Sequence, residues 1–212
     1  MATITTLLRI GPADNGRVMT LEEFREAEVE DGYRYELARG VLEVSEVPND
    51  PHADVVCNLY RAIVRYELQN PRIISRFGGG SEFRLWLPVM ISGRNPDVAV
   101  VTCNRSRDWR GRRPPTLAFE VVSEGSEARE RDYVTKRAEY LAYGLREYWI
   151  VDPERKCVTV LIRDGDAWVE QVYRDDQHAR SLVLPGFAVS VCDLWLNVED
   201  DQPDSETANG VS

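Results

Sequence analysis

The segment PPTLAFEVVS, residues 114 to 123, constrains the fold of this chain more than any other. Leu117, Phe119, Val121 and Val122 mark it as a buried strand, yet Glu120 stands in its middle. An ionised carboxylate is costly to bury among apolar side chains unless a cation pairs with it or is coordinated by it. Whatever surrounds this strand must supply that partner.

The neighbouring segments indicate what the surroundings are. TLEE, Thr20 to Glu23, is a capping box opening an amphipathic helix that runs to about Val29. In YRYELARGVLEVSE, two β-rich runs flank a turn at Arg39 and Gly40, which predicts a hairpin. Asp50 as N-cap, Pro51 in the first turn, and Val56, Leu59, Tyr60 and Ile63 at helical spacing predict a helix over 50 to 69. Strand-like runs follow at about 72–76, 82–88, 96–102 and 116–122. A helix over 127 to 143 shows an apolar stripe at Val134, Ala138, Leu141, Ala142 and Leu145, with Gly144 as its stop. EYWIVD, Glu147 to Asp152, is a strongly apolar strand, and CVTVLIRDGDAWVEQVY is a hairpin turning at Asp164 and Gly165. From the second helix onward the order is helix, three strands, helix, strand, then added hairpins. That order predicts an α/β fold with a mixed central sheet flanked by helices.

NPDVAVV puts Asp97 at the start of the strand before 116–122. Strand side chains alternate faces, so Asp97 shares a face with Ala99, and Glu120 shares one with Ala118. If the two strands are neighbours, about 4.8 Å apart, both acids approach one point and the small alanines leave room beside them. Paired carboxylates repel, and a hard cation such as Mg²⁺ shared between Asp97 and Glu120, with the Val121 carbonyl as a third oxygen, relieves the repulsion. Such a cation would polarise a phosphate and acidify a water, as phosphodiester hydrolysis requires. The alternative is a strand-end cap and a buried salt bridge to an arginine.

The 212 residues, 43% of them hydrophobic, suffice for one sizeable core. The expected division is an N-terminal segment 1–17, a domain 18–198 and an acidic, disordered tail 199–212. No run reaches the roughly 18 apolar residues of a membrane span, and the first residues lack the pattern of a secretory signal. A cytoplasmic protein with no membrane partner is expected. Cys57, Cys103, Cys157 and Cys192 are scattered without a CxxC pair, which argues against a zinc site or disulfide framework and predicts buried free thiols.

The formal charge of −10 speaks against a broadly basic, phosphate-binding surface. Residues 199–212, however, carry five acids and no base, whereas NRSRDWRGRRPP, 104 to 115, carries Arg105, Arg107, Arg110, Arg112 and Arg113 against Asp108 alone. These arginines predict phosphate contacts, with Trp109 stacking on an unpaired base. A solvated loop is the other reading.

The PD at 96 and 97, followed by EVV at 120 to 122, resembles the PD-(D/E)XK nuclease motif. YELARGVLEV, PHADVVCNLYRAI, NPDVAVV, LAFEVVSEGS, RDYVTKRAEYLAYGLREYWIVDP and LPGF together resemble the Uma2 family of bacterial restriction endonucleases over about residues 18–196. The resemblance implies a restriction-endonuclease-like αβββαβ core and a Mg²⁺-dependent endonuclease acting on DNA, with Mn²⁺ as a substitute. Fold-level analogy adds a homodimer, because cutting both strands of a duplex takes two sites. Position 122, where the motif has lysine, is Val122; the family places a lysine in the following helix, which matches Lys136, with Asp132 one turn earlier. A surface ion pair between these two is the plainer reading. Glu36 matches the family's EL before a glycine turn and is an additional candidate ligand, or an ordinary edge-strand acid. His52 matches a family histidine at a helix start and reaches the site, or only caps the helix.

With only His52 and His178 present, a histidine-rich metal site or an HNH-type nuclease is a poor fit, as is a serine hydrolase built on Ser123 or Ser126. A second function remains open: a nuclease-derived module that binds nucleic acid or a protein without cleavage, favoured by Val122 and the net acidity. A two-carboxylate glycosidase lacks an aromatic sugar platform near the acids.

Overall fold

A computed structural model of the chain describes residues 8–47, 49–108, 111, 113–196 and 198. The elements run β1 (Arg9–Ile10), α1 (Leu21–Glu26), β2 (Glu28–Val29), β3 (Tyr33–Ala38), β4 (Val41–Glu46), α2 (Asp50–Gln69), β5 (Ile74–Gly78), β6 (Leu85–Leu87), β7 (Ser92–Arg94), β8 (Val98–Thr102) and β9 (Leu117–Val121). They continue with α3 (Ser126–Glu130), a π-helical turn (Arg131–Thr135), α4 (Lys136–Tyr143), β10 (Glu147–Asp152), β11 (Cys157–Asp164), β12 (Ala167–Arg174), β13 (His178–Arg180) and β14 (Ala188–Ser190).

The six-stranded sheet has the order β12-β11-β10-β9-β8-β5. It is mixed: β9 and β10 are parallel, joined by the helical segment 126–143, and the other pairs are antiparallel. The residues of β9 and β10 are all buried, which explains their near-continuous apolar sequences. On one face, Val55, Leu59, Ile63 and Tyr66 of α2 pack with Val98, Val100, Leu117, Phe119 and Trp149. On the other, Tyr140 of α4 and Leu85 and Leu87 of β6 pack with Ala118, Val122, Tyr148 and Ile150. Taken from α2 and counting only strands of this sheet, the order is αβββαβ, that of a restriction-endonuclease-like core, and β11–β12 extend the sheet.

A second sheet, β4-β3-β7-β6, joins the 33–46 hairpin to two three-residue strands. One face packs Tyr35, Leu37 and Leu42 against Phe24 of α1, Met19 and Ile10. Because side chains alternate, Glu36 lies on the opposite face, which turns toward the main sheet.

Several expectations need correction. Helix α1 stops at Glu26, because Ala27 is extended and Glu28–Val29 pairs in parallel with β1. The cap of α2 is Asn49, whose side chain accepts from the His52 N–H; Asp50 is already helical. The 82–88 run supplies only Leu85–Leu87 as strand, and that strand belongs to the second sheet. Of the four cysteines, only Cys157 is buried, and all four are free. Gly144 ends α4 in the left-handed conformation, φ 84°, as its position predicts. The expected tail 199–212 lies outside the described residues, among which no helix is long and apolar enough to cross a membrane.

Candidate active site

The β8–β9 register sets Val98 opposite Phe119 and Ala99 opposite Ala118, and one step further along it Asp97 comes level with Glu120. Asp97 Oδ1 accepts from Arg34 Nη2 at 2.7 Å, and Oδ2 accepts from the Val121 N–H at 2.8 Å. His52 Nε2 lies 3.3 Å from Asp97 Oδ2 and 3.1 Å from the Val121 carbonyl oxygen. Glu120 Oε2 accepts from Lys136 Nζ at 2.8 Å, and Oε1 accepts from the Tyr140 hydroxyl. The partners of the buried acid are therefore an ammonium and a phenol, both from α4.

Lys136 gathers the other candidates. Its Nζ lies 3.5 Å from Asp132 Oδ1 and 3.6 Å from Glu36 Oε2, so Asp97, Glu120, Glu36, Asp132, His52 and Lys136 converge on one place. They line a cavity of about 280 Å³ together with Arg34, Arg131 and Ser123. Val122, at the motif's lysine position, is buried in the core beside α4.

Behind the cavity lies a second group of charges. Glu36 Oε1 accepts from the Asn95 N–H at 2.6 Å and Oε2 from Arg94 Nη1 at 3.2 Å. Arg94, 0% exposed, also donates to Glu43 and, through Nε at 2.6 Å, to Glu139, which accepts in addition from Ser92 Oγ at 2.9 Å. Removing that arginine would leave three carboxylates without their shared cation.

The electrostatics follow from this crowding. Burial resists ionisation of Asp97, but the His52 contact and the charges of Arg34 and Lys136 outweigh it and hold the carboxyl well below its usual range. Burial pushes Glu120 up to about 8; the Lys136 ammonium opposes the shift, and Asp97, Asp132 and Glu36 add to it. Burial also works against the charge of Lys136, yet Glu120, Glu36 and Asp132 carry it above an ordinary lysine, so it is an ammonium at neutral pH.

Among the described residues no group of three or more His, Cys, Asp or Glu side chains is arranged to hold a metal ion, although the donors at the cavity, carboxylates and a carbonyl, are of the oxygen type a hard divalent cation takes. The carboxylates Glu36, Glu43, Asp97, Glu120, Asp132 and Glu139 outnumber the cations Arg34, Arg94, Arg131 and Lys136. Asp132 Oδ1 is buried and, among the described residues, accepts no hydrogen bond, but it is ion-paired with Lys136 at 3.5 Å and Arg131 at 3.6 Å. Asp97, Glu120 and the Val121 carbonyl are the oxygen donors that would hold the ion.

The arginine-rich loop is not brought to this cavity. Strand β8 leaves Asp97 and enters the loop after Thr102, and β9 returns from Leu117 to Glu120. The loop thus sits at the far ends of two strands, each spanning roughly 17 Å at about 3.3 Å per residue. Arg105, Arg107 and Arg113 are bonded there to the carbonyls of Gly144, Gly111 and Arg105 respectively. Trp109, Arg110 and Arg112 lie outside the described residues.

Arg34, Arg94, Glu139 and Tyr140 were not singled out from the sequence, although some signal was present. Arg34 shares the strand face of Glu36. Glu36 pairs directly with Glu43 across the hairpin, and like charges so placed call for a cation between them. Glu139 and Tyr140 stand three and four residues after Lys136, on the same helix face.

Comparison with known proteins gives the family. No curated protein matches the chain. Among solved structures, it is similar to one described as "a putative nuclease belonging to DUF820" from Anabaena variabilis ATCC 29413, at 19% identity and a TM-score of 0.65, covering 84% of this chain and 97% of that one. At that identity the likeness establishes the shared fold. Residues 21–198 match the family Uma2, described as "Putative restriction endonuclease". The match extends from α1 past β14 and includes every residue of the cavity just described except Asn15. The chain belongs to the Uma2 family.

Proposed function

We propose that the chain is a divalent-cation-dependent endonuclease that hydrolyses phosphodiester bonds in DNA. One observation carries this reading: Asp97 just before β8, Glu120 of β9 and Lys136 of α4 meet in one cavity, with the Lys136 ammonium 2.8 Å from Glu120. Mg²⁺ held by Asp97, Glu120 and the Val121 carbonyl, with Mn²⁺ as a substitute, would polarise the phosphate and make a water more acidic. Lys136, already protonated, is no base; it orients the attacking water and offsets charge developing on the phosphate. Arg34 keeps Asp97 ionised and in place through its 2.7 Å bond. His52, beside both Asp97 and the Val121 carbonyl, fixes the end of β9 against α2.

The activity is tested on supercoiled plasmid with Mg²⁺ or Mn²⁺ against EDTA. Wild-type protein should nick or linearise the plasmid only with the ion present, and Glu120→Gln and Lys136→Met should each lose at least about a hundredfold in rate, the scale of a lost transition-state charge contact. Cleavage in EDTA, or cleavage retained by Glu120→Gln, would contradict the proposal. A second reading, a nuclease-fold module that binds without cutting, is favoured by one feature: both oxygens of Glu120 and of Asp97 already have hydrogen-bond donors within the protein. Titration of Mn²⁺ by calorimetry into wild type and Asp97→Ala separates the two, because only the nuclease requires an ion at Asp97.

A further inference from the structure

Away from the acid cavity, a groove of about 560 Å³ runs between β5, the 81–88 segment and the loop joining β8 to β9. Arg25, Arg76, Arg84, Arg105 and Arg113 line it, with Phe83 and Trp86; Arg25 is paired with Glu22 and Glu26. Arg76 Nη2 donates to the Arg113 carbonyl at 3.2 Å, and its guanidinium lies 5.4 Å from the centre of the Phe83 ring. Arg113 Nε donates to the Arg105 carbonyl at 3.0 Å, and Arg105 Nη2 to the Gly144 carbonyl at 3.5 Å. Arg84 Nε donates to Asn95 Oδ1 at 2.7 Å, and its guanidinium sits over the rings of Phe24 and Trp86 at 4.6 and 5.1 Å. All of these hydrogen bonds go to neutral acceptors. Among the described residues no ion pair ties any of the other four arginines to a carboxylate, although Glu82 and Asp108 share the lining. These four guanidiniums are held through neutral acceptors, with the Glu36 charge also acting on Arg84.

We infer that this groove binds an unpaired stretch of nucleic acid, an inference that rests on the nuclease reading for its purpose. Arginines fixed through carbonyls meet phosphates. Of the apolar lining, Phe83 and Pro115 are buried and Trp86 and Pro114 half-buried; the exposed parts of Trp86 and Pro114 suit base faces, which a single strand exposes and a duplex keeps stacked. A purely electrostatic duplex site needs no such apolar lining. The groove is also joined to the acid cavity through hydrogen bonds: Arg84 holds the Asn95 side chain, and the Asn95 N–H holds Glu36. Of the lining, Trp86 lies in β6 of the sheet that delivers Glu36 to Lys136, and Arg76 lies in β5 of the main sheet.

The test is fluorescence anisotropy of the full chain, in EDTA so that nothing is cut, with a labelled single strand of about 15 nucleotides and its duplex, over a salt series. Wild type should bind the single strand more tightly than the duplex. Arg76→Glu combined with Arg113→Glu should weaken single-strand binding at least about tenfold and reduce the salt slope by about 1.4, the value for two phosphate contacts on a single strand. Circular dichroism verifies folding; should the double variant not fold, Arg76→Gln, exposed and bonded only to a carbonyl, is read instead with half the change in slope. No single-strand binding by wild type, equal binding of the duplex, or undiminished binding by a folded groove variant would overturn the inference. Plasmid cleavage by Glu120→Gln is scored separately. Groove-dependent binding without cleavage by wild type would sink the nuclease reading alone, and Glu120-dependent cleavage with groove-independent binding would sink the groove alone.

Discussion

Glu120 accepts from one ammonium and one phenol, and three further acids, Asp97, Asp132 and Glu36, stand close enough to raise its pKa. Its folded-state value of about 8 lies above the ordinary glutamate value of about 4.3. A group raised on folding contributes stability that is complete below its unfolded pKa and is lost as pH rises through its folded one. Asp97 is shifted the other way, so its contribution is present above its unfolded pKa and lost on acidification; a Glu120 variant shares that term and it cancels in the comparison. We expect that in EDTA the unfolding free energy of wild type, relative to Glu120→Gln, falls by at least about 1 kcal/mol between about pH 5 and 8.5, measured by urea titration at each pH. A difference that stays flat would mean that Glu120 is ionised throughout and locked in its pair with Lys136.

At the scale of the element, the 126–143 segment decides whether there is a site. The apolar stripe read there, Val134, Ala138, Leu141, Ala142 and Leu145, is inward only in part: Leu145 is buried and Leu141 half-buried, but Val134, Ala138 and Ala142 face solvent, and the buried face carries Ala128, Asp132, Lys136, Glu139 and Tyr140. The π-helical turn at 131–135 inserts within this face, a distortion often found at functional sites. Val134→Glu should therefore change stability by less than about 0.5 kcal/mol, as a surface substitution does. Tyr140→Phe leaves a buried Glu120 oxygen without its donor and should cost about 1 to 3 kcal/mol. Urea unfolding of both variants settles the order, and a larger loss for Val134→Glu would put the apolar stripe back against the core. Helical periodicity assumes that the inward face is apolar, so it fails where that face holds a polar site. Strand periodicity succeeded for Asp97 and Glu120 because it needs only alternation and adjacency, and the pairing of Ala99 with Ala118 supplied both. Of the second sheet, the β3–β4 hairpin was legible from its turn, but the other half was not. Its strands β6 and β7 are three residues each, and β7 meets β3 some fifty residues upstream, so no local pattern distinguishes them from the main sheet. Arg94, which that sheet carries, was hidden for the same reason.

Over the whole molecule, the groove arginines Arg76, Arg84, Arg105 and Arg113 belong to a chain with a formal charge of −10. Five of the acids lie in residues 199–212, which contain no base, so a chain ending at Val198 has a formal charge of −5. A polyanion approaching the arginines is repelled by those acids over distances set by salt. The Debye length is about 30 Å at 0.01 M ionic strength, comparable to the size of the domain, and about 10 Å at 0.1 M. The shortened chain should therefore bind single-stranded DNA several-fold more tightly than the full chain near 0.01 M salt, with the gap closing above about 0.1 M. Anisotropy titrations of both chains over the same salt series measure it. Because the arginine contacts are unchanged, the gain should appear mainly in the association rate, with dissociation nearly constant. A gap that persists at high salt would mean that residues 199–212 compete for the groove by direct contact, and then synthetic EDDQPDSETANGVS peptide added in trans should displace DNA from the shortened chain.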